Sequence, residues 1–258
     1  MSLLDEIISC KKMEVEEIKK ILSFNMISSK DLPEIRDFKK ALEREGISII
    51  AEIKSSSPSA GIIRKNMNYI RIAKLYKDNG AAAVSVLTDK KFFGGNNNHI
   101  KAIKKEISLP ILRKDFIIDE YQIYESRYIG ADAILLIARI LTPEQIEQFI
   151  QTAKKLGLYC LVEIHKPDEL EKVLITTAEI IGINNRDLDT LQINLNNSLR
   201  IKKMIPSAYL CVSESGIKKR EDILKLERAG FDGVLIGETL LKNSSPGDKL
   251  KKLLGGKV

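Results

Sequence analysis

The chain has 258 residues, 44% hydrophobic and 30% charged, which excludes a disordered polymer and suits a globular protein with a sizeable core. Its net charge is +7, yet aromatic residues are only 5% and no nucleic-acid motif occurs, so the positive field is read as suited to an acidic small molecule, not nucleic acid. No apolar stretch reaches membrane length, no basic segment with an apolar core opens the chain, and the three cysteines lack metal spacing; no membrane, signal peptide or metal is expected, and a reducing cytoplasm is.

In chain order, the first 46 residues carry helical periodicity. Leu3-Leu4, Ile7-Ile8, Met13 and Ile18 repeat at helical spacing, as do Phe38, Ala41 and Leu42. Ser28 to Asp31 with Pro33 reads as a link between two helices, and Gly46 as the stop of the second. About forty residues are marginal alone, so residues 1–46 are expected to be a helical extension packed on the remainder, 47–258, within a single domain.

From Ile47 the pattern alternates. Short apolar runs at 47–53, 82–87, 109–113, 132–137, 158–163, 179–183, 208–213 and 232–236 read as buried strands. Amphipathic segments at 69–79, 99–106, 120–128, 143–156, 168–174, 195–204, 218–229 and 246–254 read as helices. Thr142-Pro143-Glu144-Gln145 offers an N-cap with proline at the first helical position, and Gly80, Gly130, Gly157 and Gly230 stop helices before strands. Eight strand–helix pairs predict a (β/α)8 TIM barrel with an N-terminal helical extension. Cys160 and Cys211 fall within strand runs as small core residues, and Lys101–Lys105, Lys218–Arg220 and Lys249–Lys251 read as solvated helix faces.

The unusual polar residues collect where strands end. Glu52 and Lys54, two apart, share one side of the first strand, and Ser55-Ser56-Ser57-Pro58 leave it as a polar loop. Lys114 and Asp115, Glu163, Asn184 to Asp187, Glu214-Ser215-Gly216 and Gly237-Glu238 follow five later strands. In this fold the carboxyl ends of all strands meet at one mouth, where the active site lies. Gly216 and Gly237 sit in the last two loops, each before a segment able to open a helix, which is the fold's recurrent phosphate site. Ser57 is a candidate hydroxyl for the same phosphate.

These motifs carry a resemblance. Glu52-Ile-Lys54-Ser-Ser-Ser57-Pro58-Ser59 closely resembles the signature of the indole-3-glycerol-phosphate synthase family. Leu87-Thr88 with Lys91 to Gly95, Leu112 to Phe116, Leu161 to His165, Gly182 to Leu188, Ser213 to Ile217 and Ile236 to Glu238 follow in the family's order. The likeness runs from about residue 2 to 254, with Ala60 a minor departure where relatives often carry lysine.

The resemblance implies ring closure of 1-(2-carboxyphenylamino)-1-deoxyribulose 5-phosphate with loss of carbon dioxide and water, in tryptophan biosynthesis. It implies Lys114 as general acid and Glu163 as base, with Lys54 either a second acid or the holder of the substrate carboxylate. A lysine is a reluctant donor at its reference pKa of about 10.4, and a cationic buried site is expected to make Lys114 a readier one. Glu52 is expected to orient a lysine or the anilino nitrogen, and Asn184 and Glu214 to bind hydroxyls and the leaving group. Arg186 is expected at the carboxylate or beside Asn184. Phe93, Phe116 and Leu235 are expected to wall the aromatic ring, and Ser57, Ser215, Gly216, Gly237 and Glu238 to hold phosphate. No cofactor is implied, His99 and His165 are expected at the surface or behind the site, and a monomer or weak homo-oligomer is expected. Competing readings are another phosphate barrel such as an isomerase, a non-catalytic barrel in a complex, or a basic nucleic-acid binder. The isomerase would need a cysteine on strand one, and a binding role would need no acid–base pair.

Overall fold

The structure, a computed structural model, describes residues 2–21 and 32–256. Its strands are β1 (Ser48–Ile53), β2 (Ser56–Ser57), β3 (Gly61–Ile62), β4 (Ala83–Leu87), β5 (Ile111–Lys114), β6 (Ala133–Ile137), β7 (Tyr159–Ile164), β8 (Ile180–Asn184), β9 (Leu210–Glu214) and β10 (Gly233–Ile236). Eight of them close a parallel barrel in the order β1-β10-β9-β8-β7-β6-β5-β4, with β1 paired to both β10 and β4. The expected (β/α)8 architecture is therefore present. The serine-rich segment after β1, expected as a plain loop, instead forms the small antiparallel ribbon β2–β3, with Ser56 opposite Ile62.

Every barrel strand is buried on both faces, so its polarity pattern cannot announce which face is which. The contacts do. Ile49, Ala51 and Ile53 of β1 join the shell beneath the helices, while Ile50 joins the interior cluster. In the same way Val162 and Ile164 of β7 face outward and Leu161 inward. Residues two further along an inward row are Glu52 and Glu163. Leucine, isoleucine, valine and alanine thus fill the lower barrel, and the inward rows of β1, β5, β7 and β9 turn ionic only at their carboxyl ends, at Glu52, Lys114, Glu163 and Glu214.

The helices are α1 (Leu3–Ile21), α2 (Phe38–Leu42), α3 (Tyr69–Asp78), α4 (Lys90–Phe93), α5 (Asn97–Glu106), α6 (Glu120–Ile129), α7 (Pro143–Lys155), α8 (Pro167–Leu174), α9 (Asn196–Lys202), α10 (Arg220–Arg228), α11 (Glu238–Leu241) and α12 (Pro246–Leu253). The Thr142 cap of α7 is a full capping box with Pro143 in the first turn. Gly80, Gly130, Gly157 and Gly230 all have positive φ at helix ends, as their sequence positions imply. The short helix α4, capped by Asp89, stands outside the expected alternation, whereas α11 opens directly after Gly237, where the sequence implies a helix start.

The two N-terminal helices have different tasks. Phe38 and Leu42 of α2 enter the interior cluster and close the barrel's amino end. Helix α1 buries Leu4, Ile7, Lys11 and Val15, whereas Met13, expected on the apolar face, is 61% exposed. The buried set repeats every three or four residues, and a charged residue occupies one of its places. Of the expected link, Ser28 to Asp31 lie outside the described residues. Helix α2 ends at Leu42 with Glu43 as its cap, so Gly46 (φ +75°) turns the chain into β1 instead of stopping the helix itself.

The amino end is clasped by Asp132, which is fully buried just before β6. Its carboxylate accepts from the N–H of Arg36 (2.6 Å), the N–H of Ile111 (2.8 Å) and the Lys104 ammonium (2.5 Å). Lys104 is thus no solvated helix residue: it is 8% exposed and its burial depresses its pKa. Asp132→Ala is expected to cost about 3–5 kcal/mol, because it strands a buried ammonium and two N–H groups. Urea unfolding measures this, and a loss below about 1 kcal/mol would show that the clasp is not under load.

Candidate active site

The register of the barrel brings the inward carboxyl ends to one level. Leu87 pairs with Lys114, Glu163 with Gly182, Asn184 with Glu214, and Glu214 with Leu235. The mouth they form is a cavity of about 430 Å³. Glu52, Lys54, Phe93, Lys114, Phe116, Glu163, Asn184, Arg186, Glu214, Ser215, Gly216, Leu235, Gly237 and Glu238 all line it. Fourteen of the fifteen candidates therefore meet in one place. Ser57 lies next door, in a side pocket of about 90 Å³ that shares Lys54, Phe93, Phe116 and Arg186 with the main cavity. Its hydroxyl accepts from the N–H of Ala60 at 3.2 Å, within its own turn.

Lys114 sits at the centre. Its ammonium donates to Glu163 Oε2 at 2.7 Å and to Glu214 Oε2 at 2.5 Å. Lys54 donates to Glu52 Oε1 at 2.5 Å. Glu52, Glu163 and Glu214 are 3%, 3% and 1% exposed, so water offsets little of their charge.

The pair of carboxylates around Lys114 is split by environment. Burial alone would push Glu163 up, but Lys114 and then His165 pull it down to about 2. Burial dominates at Glu214, reinforced by the neighbouring Glu163 charge and only partly opposed by Lys114, and pushes it up to about 8. The two environments bias the pair in opposite directions, Glu163 toward the anion and Glu214 toward the protonated acid. Desolvation pushes Lys114 down, but the Glu163, Glu214 and Glu52 carboxylates outweigh it and raise its pKa. This corrects the expectation of a cationic site that loosens the Lys114 proton: the surroundings are anionic and hold it.

The carboxylates have room because two neighbours lack side chains. A Cβ on Gly182 would strike Glu214 Oε1, and a Cβ on Gly237 would strike Glu52 Oε1. Gly237 has φ −120°, which any residue can adopt, so close approach is what selects glycine there. Ser215 and Gly216 both have positive φ (+66° and +84°), which turns the β9 loop back over the mouth. Asn185 fixes that turn, donating to Ser213 Oγ, the Glu214 carbonyl and the Ser215 carbonyl at 2.9–3.0 Å.

Around this centre, Phe93 and Phe116 form a tilted pair with ring centroids 6.0 Å apart. Arg186 donates to the Leu191 carbonyl (3.2 Å) and lies 3.7 Å from Glu238. The Asn184 amide oxygen accepts from the N–H of Arg186 at 2.9 Å. His165 is buried behind Glu163, with Nε2 3.3 Å from Glu163 Oε1 and Nδ1 3.5 Å from Glu169. His99 instead stacks on Tyr69, away from the mouth.

Sequence reasoning missed Leu135, Ile137, Leu188, Ile193, Lys218 and Lys242 as lining residues. Leu135 and Ile137 were readable as alternate positions of a strand; Ile193 and Lys242 come from loop and helix geometry that no local pattern encodes. Among the described residues, no group of His, Cys, Asp and Glu is arranged to hold a metal, and no helix is long and apolar enough to cross a membrane.

A closed parallel barrel with paired acids and lysines at its carboxyl mouth defines an enzyme of the (β/α)8 class. Solved structures agree on the fold: 3-hexulose-6-phosphate synthase from Salmonella typhimurium superposes with TM-score 0.66 at 15% identity, over 80% of this chain and 96% of that one. A mutant tryptophan synthase alpha-subunit from Pyrococcus furiosus gives 0.60 at 19%, over 81% and 98%. Sequence comparison goes further. The family profile described as indole-3-glycerol phosphate synthase matches residues 4–253. The indole-3-glycerol phosphate synthase of Alkaliphilus metalliredigens is 47% identical over 98% of both chains, and that of a Thermoanaerobacter species 49% over 96% of this chain and 95% of its own. The chain belongs to the indole-3-glycerol phosphate synthase family.

The split between Glu163 and Glu214 has a thermodynamic sign. An acid whose pKa is higher folded than unfolded binds its proton more tightly in the native state, so its stabilisation is complete at low pH and lost as pH rises. For Glu214 the window runs from the ordinary 4.5 to about 8, while Glu163, displaced downward, contributes constantly across it. Glu214→Gln is expected to gain stability relative to the parent as pH rises through that window, read by denaturant unfolding at several pH values. Parallel curves for the two proteins would contradict the assignment.

Proposed function

We propose that the mouth of this barrel performs the family's ring closure with Lys114 as general acid and Glu163 as general base. The reaction converts 1-(2-carboxyphenylamino)-1-deoxyribulose 5-phosphate into indole-3-glycerol phosphate, carbon dioxide and water. The observation that carries the assignment of roles is the single Lys114 ammonium held between two buried carboxyls, 2.7 Å from Glu163 and 2.5 Å from Glu214, whose surroundings bias them in opposite directions.

The chemistry needs three things. The ketone must become electrophilic, the ring carbon bearing the carboxylate must attack it, and the resulting hydroxyl must leave. Lys114, at the centre of the cavity, hydrogen-bonds the ketone oxygen and gives it a proton as the carbon–carbon bond forms. Neutral Glu214, 2.5 Å away, is placed to restore that proton. Carbon dioxide then departs and the ring regains its aromatic electrons. Ionised Glu163 takes the proton lost in dehydration, and the hydroxyl leaves with a proton from Lys114 or Lys54.

Lys54, neutralised by Glu52 in the empty site, receives the substrate carboxylate. Phe93, Phe116 and Leu235 flank the aromatic ring, and Asn184 holds a substrate hydroxyl. Arg186 lies between the ring end and the Glu238 side of the mouth. The phosphate is assigned to the Ser215-Gly216 turn and the backbone N–H groups of Gly237 and Glu238, with Ser57 reaching it from the side pocket. Lys218 and Lys242 add positive charge on that side. This small phosphorylated substrate needs no nucleic acid or membrane partner.

Lys114→Ala and Glu163→Gln are each expected to lower turnover at least ~10²-fold, the usual scale for a general acid or base, as measured by indole fluorescence. Near-normal turnover in either removes that residue from the mechanism. Ser215→Ala should raise KM more than it lowers kcat, because phosphate contacts exist before the chemical step. A pure kcat defect would place Ser215 in the chemistry instead.

A further inference from the structure

The ring-closure roles leave one buried charge unused. Lys11 lies on α1, far in sequence from its partner Asp115 at the end of β5, and is 4% exposed. Its ammonium meets Asp115 Oδ1 at 2.9 Å, Asp89 Oδ2 at 3.0 Å and Glu14 Oε2 at 2.6 Å. A lysine rarely sits on the buried stripe of a helix unless it is paired there, and here two of its three partners belong to the barrel mouth.

Both partners hold site residues. Asp115 directly follows Lys114, and its carboxylate accepts from the Phe116 N–H (2.8 Å), the Thr88 hydroxyl (2.6 Å) and Arg113 (3.2 Å). Asp89 caps α4 through the N–H of Phe92 (2.8 Å), and α4 carries Phe93 into the cavity. One ammonium therefore ties the β4 loop to the end of β5 and clamps both to α1. A solvent-open groove of about 640 Å³ runs beside Lys11 between α1 and these loops, and the ionic contacts of Lys11 bridge α1 to them at this point. The amino end of the same helix places Leu3, Leu4 and Ile7 around the side pocket with Phe93 and Phe116. Lys11 is also foremost among the charges that offset the burial of Asp115 and keep it ionised.

We propose that Lys11 is a positioning residue for ring closure: it joins Asp89 to Asp115 and thereby sets Phe93, Lys114 and Phe116 in their working arrangement. The inference rests on the assignment of those three residues to the reacting site. Lys11 touches no substrate itself. Its effect runs through the loop that caps α4 and through the backbone next to Lys114, where a misplacement on the order of 1 Å costs up to ~10²-fold in rate.

The test uses the full-length enzyme and indole fluorescence. Lys11→Met keeps the length of the side chain and removes the charge. It is expected to lower kcat about 10-fold per folded molecule, with Lys11→Arg recovering most of the loss. Should K11M fold poorly, K11M with Asp89→Asn keeps the cluster's net charge and, asparagine being an equal N-cap, keeps α4 capped. That double variant is expected to show the same kcat defect. A fall in thermal stability with kcat and KM unchanged, in either variant, overturns the proposal and leaves Lys11 a purely structural tether. The Lys114→Ala control separates the layers: if it too is fully active, the site reading has failed, whereas an inactive K114A beside a normal K11M refutes the Lys11 inference alone.

Discussion

The mouth of this barrel rests on a charge problem. Three carboxylates and two ammonium groups are held in a space from which most water is excluded. Their mutual attraction offsets desolvation only if the set is close to neutral. Glu52 and Lys54 neutralise each other, and Lys114 neutralises Glu163. Glu214 is the remainder, and its burial favours the protonated form that leaves the set neutral. The same requirement sets a carboxyl biased toward its protonated form beside Lys114. Two residues of one type are biased in opposite directions because one has Lys114 and His165 beside it and the other is dominated by burial.

The scaffold serves that set at several depths. Below it, aliphatic side chains fill the barrel and Phe38 and Leu42 seal the end, so the charged layer stands on a dry floor. Beside it, the absent side chains of Gly182 and Gly237 leave room for two carboxylates. Above it, the left-handed pair Ser215-Gly216, held by Asn185, and the start of the short helix α11 line the mouth. At the edge, α1 reaches the loops through Lys11, which links a helix at the start of the chain to the reacting centre.

Much of this was legible in the sequence, and the limits have physical reasons. The eight strand–helix pairs stood out because parallel strands buried on both faces read as short continuous apolar runs. The charged residues at the strand ends stood out because a buried run seldom ends in a lysine or glutamate without cause. The ribbon β2–β3 and the helix α4 escaped because elements of two to four residues carry no period. Lys104 and Lys11 escaped because each lies in a stretch rich in charge, where burial depends on a distant acid: Asp132 for one, Asp89 and Asp115 for the other. Lys11 still left a trace, since positions 4, 7, 11 and 15 form one helical stripe and three of the four are aliphatic. The direction of the Lys114 shift was misjudged because Glu214 and Glu163 lie far apart along the chain, and only the register sets both against one ammonium.

The ionisation of the two carboxyls is the quantity on which the account turns, and carbon-13 NMR of glutamate carboxyl groups reads it directly. In the ligand-free enzyme, with resonances assigned through Glu163→Gln and Glu214→Gln, Glu214 should titrate near 8 while Glu163 stays ionised down to the acid limit of folding. If both carboxyls instead lose their protons together in the ordinary glutamate range, the neutral acid beside Lys114 does not exist, and the division of roles drawn from it fails.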